Sequence, residues 1–257
     1  MKNLLKRIYK LFNSLLFDPL AIYRKWRALP HFIRNIFAYK SKQQANSSFK
    51  ISTKDFYFTT ADKFQSSGNS YGHYFLQDLW AANKVHQSDA KLHIDVASRI
   101  DGFVAHLLPF CKVEYVDIRP MESKINNLTY VKGDICNLPY ESNTVDSLSC
   151  LHVLEHIGLG RYGDDIDPDG HLKGAKELAR ILKPGGTLYF GTPVGKERLC
   201  FDAHRVFNPE TIVKIFGDLK LVSFSLIDDK AEQVFENVNL ADGAHLNYGC
   251  GLYVFTK

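Results

Sequence analysis

Three aspartates close short apolar runs: Asp95 in HIDVAS, Asp117 in VEYVDI and Asp134 in VKGDIC. An ionised carboxylate only accepts hydrogen bonds, so one at the end of such a run suits the hydroxyl or amino groups of a ligand. Further on, SCLHVLEHIG sets His152, Glu155 and His156 close together. Those residue types remove protons from hydroxyls.

Such groups work only if something aligns them, and from residue 90 onward short apolar runs alternate with helical stretches, the pattern of a parallel sheet covered on both faces. Strands are expected at 92–97, 113–118, 128–135, 145–154, GGTLYFGTPV, 219–227 and 251–256. Helices are expected near 72–85, over DGFVAHLLPF, over HLKGAKELARIL up to KPGG, and over NPETIVKIFG with Asn208 as N-cap and Pro209 at the first position. The fold class is therefore α/β, doubly wound and mostly parallel. Ligands of such sheets bind outside the carboxyl ends of the strands.

The chain has 257 residues, 45% of them hydrophobic, enough for one substantial core. Its five cysteines are widely spaced without a C-x-x-C pair, which argues against a disulfide framework or zinc knuckle and for a reducing, cytoplasmic setting. No apolar run is long enough to span a bilayer. The net charge of +4 is uneven: residues 1–42 hold ten Lys or Arg against one acid, +9, and the remainder is −5. An acidic remainder repels phosphates, so no nucleic-acid partner is expected.

Three segments follow: a basic amphipathic helical arm over 1–42, a polar linker over 43–60, and the α/β domain over 61–257. In the arm, Leu4, Leu5, Ile8, Leu11, Phe12, Leu15 and Leu16 fall at helical spacing opposite lysines and an arginine, and Pro19 and Pro30 punctuate two shorter stretches. Such an arm suits an anionic membrane surface or a protein partner.

The stretches HIDVAS, VEYVDI, VKGDICNLPYESNTVDSLSCLHVLEHIG and ARILKPGGTLYFGTP resemble the class I S-adenosylmethionine-dependent methyltransferases over roughly residues 90–195. More narrowly, they resemble a branch of unknown function found in bacteria and nematodes and linked in bacteria to surface polysaccharide synthesis. The resemblance implies a seven-stranded sheet with the last strand antiparallel and S-adenosylmethionine across the strand ends. It implies that Asp117 takes the ribose, that Asp134 and the Ile135 amide take the adenine, and that the backbone at Leu151 faces the methionine part. Asp95, Ala97, Ser98 and Arg99 occupy the first loop, where the family has D-x-G-x-G-x-G; here the glycine positions read Ala97, Arg99 and Asp101, with Gly102 one place late. Arg99 is expected to turn inward onto the cofactor carboxylate, and Tyr71 and His73 to cover the cofactor.

His156 is the first choice of base and His152 the second, with Glu155 beside them. These three with His204 would alternatively ligate a divalent metal, the less favoured reading because His152 stands where the E-x-x-E-H block of some methyltransferases has its first acid. The loop GLGRYGDDIDPDG (158–170) is expected to shape the acceptor pocket, with Asp165 meeting sugar hydroxyls and Arg161, Tyr162 and Arg205, near His204, steadying a phosphate or carboxylate. The expected activity is methyl transfer to a hydroxyl of a small acceptor, a sugar or glycan precursor, in the cytoplasm or at the inner membrane face. The alternative is a catalytically degenerate scaffold.

Overall fold

Near-continuous apolar runs become parallel strands when helices cover both faces. The computed structural model describes residues 19–44, 46–57, 68, 70–122 and 124–257. In it the runs form β1 (Leu92–Val96), β2 (Lys112–Asp117), β3 (Leu128–Lys132), β4 (Val145–Leu151), β5 (Leu182–Val194), β6 (Arg198–Cys200), β7 (His204–Val206), β8 (Lys220–Ile227) and β9 (Gly249–Thr256). Seven of these make one sheet in the order β3-β2-β1-β4-β5-β9-β8, while β6 and β7 pair as a separate hairpin. Within the seven-stranded sheet β9 runs antiparallel to β5 and β8 and the other pairings are parallel; β6 and β7 are antiparallel to each other. The order reverses between β1 and β4, which makes their carboxyl ends the switch point where a ligand fits.

The chain divides into two compact units, 1–69 and 70–257. The first carries α1 (Pro19–Lys42). The second carries α2 (His73–Gln87), α3 (Ala105–Leu107), α4 (Gly170–Ile181), α5 (Pro209–Ile215) and α6 (Leu240–Ala244). One face of the sheet buries Ile94, Val96, Leu148 and Phe190 with residues of α4 and α5. The other buries Val113 and Tyr115 with Trp80 and Val85 of α2 and Phe103 ahead of α3.

Four local differences from the sequence reading have physical causes. Pro30 does not break the arm: α1 runs through it, at the cost of the one ladder bond its missing N–H cannot make. β4 stops at Leu151 rather than 154 because His152 adopts a left-handed φ of 55°, which ends extended backbone. The helix after β1 opens as a π-turn, Ile100–Val104, before α3. β5 begins at Leu182, ahead of the KPGG turn, where Gly185 takes φ 78°. The cap of α5 is as expected: the Asn208 side chain accepts from the Glu210 amide and Pro209 opens the helix. The apolar stripe at residues 4–16 lies outside the described residues, and among those described no helix is long and apolar enough to cross a membrane.

Candidate active site

β1 and β4 meet through a line of buried polar groups that ends at the first loop. Asp95 is fully buried; it accepts from the Ser98 amide (3.0 Å) and hydroxyl (2.6 Å) and from the Ser149 hydroxyl. Ser149 thus spends its proton on Asp95 and accepts from His93 Nε2 (2.8 Å), which leaves His93 Nδ1 to accept from the Ser147 hydroxyl (2.7 Å). Burial drives His93 down to a pKa of about 3, so the ring is neutral, and raises Asp95 to about 6 against the pull of its three donors. Ser98 Oγ in turn accepts from the Leu151 amide (3.1 Å), tying the loop to the end of β4. Asp95, Ser98 and the Leu151 amide are therefore occupied with one another.

The glycine-poor loop keeps ordinary backbone at Arg99 and concentrates its one left-handed residue at Ala97. Ala97 takes the left-handed φ of 58° that a glycine would otherwise supply, while Arg99 has an ordinary extended φ of −69°. Arg99 borders the cavity that Ser98, Leu151 and Tyr74 also line, but its guanidinium is engaged by the protein: Asp101, two residues on, offers it a two-oxygen partner at 3.0–3.2 Å, and it lies 5.1 Å from the centre of the Tyr74 ring. Gly102 is needed for another reason, since a Cβ there would sit 2.1 Å from Oδ2 of Asp78 on α2.

Asp117 ends β2 buried, and its carboxylate is already engaged. Arg119 donates from its amide (2.8 Å), Nε (3.0 Å) and NH2 (2.6 Å), and the Tyr115 hydroxyl adds a fourth bond (3.0 Å). Burial pushes this carboxyl up, but the bonds from Arg119 and Tyr115 outweigh it and hold the pKa below the usual value. Asp134 lies in the turn after β3 and accepts from the Cys136 amide (2.9 Å). Asp117, Asp134 and Ile135 share the wall of a cavity of about 250 Å³. A second cavity of about 290 Å³ is lined by Ser98, Leu151 and Tyr74. Ala97, Arg119, His152, His156 and Tyr162 border both. Between the two, the Arg119 guanidinium lies 4.9 Å from the centre of the Tyr162 ring.

His152 Nδ1 faces Gln77 Oε1 at 2.6 Å and His156 Nδ1 faces the Ala203 carbonyl at 2.6 Å. Both partners only accept, so both rings carry their proton on Nδ1 and keep a lone pair on Nε2. Burial lowers His152 to about 3 and His156 to about 4, and raises Glu155 to about 8, so all three are neutral at pH 7. Glu155 bonds only weakly to Thr192 (3.4 Å) and lies 3.7 Å from His156 Nε2. Tyr74 packs on His152 (5.0 Å), Tyr162 on His156 (5.5 Å) and Tyr248 on His204 (5.2 Å).

Several expected ligand contacts are spent on the protein itself. Arg205 donates to the carbonyls of Ile157 (2.7 Å) and Pro168 (3.2 Å), clamping the ends of the loop rather than facing an acceptor. Within the loop Asp164 accepts from the amides of Gly158, Gly160 and Tyr162, and Gly158 adopts φ 78° where a Cβ would strike the Asp167 carbonyl. Asp165 stays exposed in the cavity wall. His73 donates from Nε2 to the Asp228 carbonyl (3.1 Å) and stacks on Tyr248, and Tyr71 is 56% exposed and borders neither cavity, so neither covers the cofactor position. Among the described residues no three His, Cys, Asp or Glu converge as a metal requires. The sequence reading missed Gln77, Asp78 and Arg119. The polar pair in HYFLQDLW, on the turn that also buries Trp80, and the D-x-R spacing at 117–119 were the available signals.

Sheet order, the single antiparallel strand and the strand-end cavity give the chain the fold of the class I S-adenosylmethionine-dependent methyltransferases. The family model described as "Caenorhabditis protein of unknown function, DUF268" matches residues 117–244. A demethylmenaquinone methyltransferase of Corynebacterium kroppenstedtii is 38% identical over 71 residues, a match spanning 26% of this chain and 26% of that protein. Among solved structures, N-methyltransferase NodS from Bradyrhizobium japonicum WM9 superposes with a TM-score of 0.50 at 16% identity, covering 70% of this chain and 94% of that one. The [4+2]-cyclase SpnF superposes at 0.51 with 13% identity over 71% of this chain and 80% of that one. At such identities the likeness is one of fold, and a fold shared with a cyclase leaves the reaction to be argued from the site.

Proposed function

We propose that this chain transfers a methyl group from S-adenosylmethionine to a hydroxyl of a small acceptor, a sugar or glycan precursor of cell-surface polysaccharide. The observation that carries the reading is the pair of adjoining cavities: one bounded by carboxylates at two successive strand ends, the next bounded by neutral imidazoles and tyrosines. The residues present fit the cofactor. Asp117 and Asp134 would take the ribose and the adenine amino group, with apolar Ile118 and Ile135 in the same wall. The cofactor, when bound, supplies a methyl group on a sulfonium, a leaving group that needs no metal. Arg119 must release Asp117 for the ribose hydroxyls to reach it. His156 Nε2 receives the proton of the acceptor hydroxyl as the oxygen–methyl bond forms and the sulfur–methyl bond breaks, while the Ala203 carbonyl holds the ring in the tautomer that can accept.

The degenerate-scaffold reading draws on one observation, the guanidinium already seated on Asp117. Titration of S-adenosylmethionine and S-adenosylhomocysteine into the protein, with Asp117→Ala as control, separates the two. Micromolar binding lost in the variant supports the enzyme; no heat at millimolar ligand favours the scaffold.

The arm's place at an anionic membrane face is supported by α1, where Ile22, Trp26, Leu29, Ile33 and Phe37 fall on one helical stripe and are exposed, Trp26 by 70% and Phe37 by 68%. Co-sedimentation with phosphatidylserine vesicles that vanishes on deletion of residues 1–42 is the expected result, and equal sedimentation of both proteins would refute it.

A further inference from the structure

The loop 158–170 and the β6–β7 hairpin bring two guanidinium groups close to His204, and neither pairs with a carboxylate among the described residues. Arg161 NH1 donates to the Ala203 carbonyl (2.9 Å), and its guanidinium lies 5.1 Å from the centre of the Tyr162 ring. NH1 also lies 3.2 Å from His156 Nδ1, but that nitrogen already carries a proton for Ala203, so no bond forms there. Nε and NH2 of Arg161 are left to donate elsewhere. Arg198 holds its place through the carbonyls of Lys196 (2.9 Å) and Asn247 (2.7 Å).

His204 lies beside both. It is held below its usual pKa first by burial and then by the charges of Arg161 and Arg198. Asp164 accepts from three loop amides, Asp229 from the amides of Asn247 and Tyr248, and Glu197 from Asn208 and Thr211, so none of these three carboxylates is bonded to either guanidinium. The groups deeper in the pocket, His152, Glu155 and His156, are neutral at pH 7. Two cations without a carboxylate partner among the described residues therefore flank His204, whose ring centre lies 6.4 Å from that of His156.

We infer that Arg161 and Arg198, with His204 beside them, form a subsite for a phosphoryl group, so that the acceptor is a phosphorylated, hydroxyl-bearing small molecule. A guanidinium fork matches a phosphate with two parallel bonds, and Arg161 has the free donors for it. The anion then lies on the Nδ1 side of His156 and the reacting hydroxyl on the Nε2 side. This assignment rests on the methyl-transfer reading, since it takes His156 as the base.

The test is calorimetric titration of inorganic phosphate, and separately of acetate and S-adenosylhomocysteine, into the full-length protein and its Arg161→Ala and Arg198→Ala variants, each checked by a thermal melt. Phosphate should bind the wild type more tightly than acetate does. Each variant should lose roughly tenfold or more of that affinity, the scale of a charge-assisted bond, and keep its affinity for S-adenosylhomocysteine. Phosphate binding that is absent from the wild type, unchanged in both variants or matched by acetate overturns the subsite. If S-adenosylhomocysteine binds while phosphate does not, the subsite alone is wrong; if phosphate binds in the expected pattern while S-adenosylhomocysteine does not, the methyl-transfer reading is wrong and an anion site remains.

Discussion

Arg119 and Asp117 form a two-point ion pair at the carboxyl end of β2, with Nε to Oδ1 at 3.0 Å and NH2 to Oδ2 at 2.6 Å. The pair fills the carboxylate that a ribose would use. Arg119 is half exposed, so releasing it costs less than breaking a buried pair. Arg119→Ala should therefore tighten S-adenosylmethionine by about threefold to tenfold, a discounted share of a charge-assisted bond. The same variant should melt lower, because it leaves a buried carboxylate short of donors. Calorimetry and a thermal melt check the two opposite signs; weaker binding would mean that Arg119 holds the ligand rather than competing with it.

His156 is placed to act as a base without first shedding a proton. Its pKa of about 4, set mainly by burial, keeps it neutral from mildly acidic pH upward. Turnover should rise through about pH 4 and stay level through neutrality, instead of rising near the ordinary histidine value of about 6.5. His156→Ala should lower kcat by roughly 10²- to 10⁴-fold and leave cofactor affinity within a few-fold. A kcat within twofold of wild type would remove His156 from the chemistry.

Glu155 makes stability depend on pH in a defined direction. Burial raises its carboxyl to about 8, so the folded state holds a proton that the unfolded chain gives up above its ordinary value of 4.5. The stability this proton confers is complete below about 4.5 and is lost progressively as pH rises to 8. Glu155→Gln should flatten the decline between pH 5 and 8, by up to a few kcal/mol at about 1.4 kcal/mol per unit. Urea melts at several pH values measure it, and parallel profiles for both proteins would contradict it.

Gly102 and Asp78 are matched in space. Gly102→Ala should destabilise the protein by about 1 to 3 kcal/mol, the usual cost of overpacking. Asp78→Ala should recover most of that loss in the double variant, because it removes the atom that the new methyl would strike. Additive effects in the melts would place the strain elsewhere.

The sheet was legible because buried parallel strands write themselves as apolar runs and their loops as Asp, Asn, Gly and Pro. Asp117, Asp134, His152 and His156 were legible because each sits a fixed step from a strand end, and all four border the cavities. The partners that set their states were not. Arg205 looks from sequence like a ligand residue; only the fold brings the Ile157 and Pro168 carbonyls to it. Asp78 and Gln77 meet Gly102 and His152 across long sequence separations, and no spacing rule reports such contacts. Arg99 borders the second cavity, but its pairing with Asp101, two residues away, was not read from the sequence.

The hydroxyls of Ser147 and Ser149 and the imidazole of His93 all point their protons toward Asp95, and the line begins where Ser147 borders a cleft at the opposite ends of the strands. Such a line has only one sense, so each member's orientation is dictated by the next. The consequence is a remote handle on the cofactor loop: Ser147 touches neither cavity, yet its replacement frees His93 to turn and slackens the hold on Ser98. Variation at the far edge of the sheet is thus a route by which ligand affinity can be tuned while the strand-end surface stays untouched.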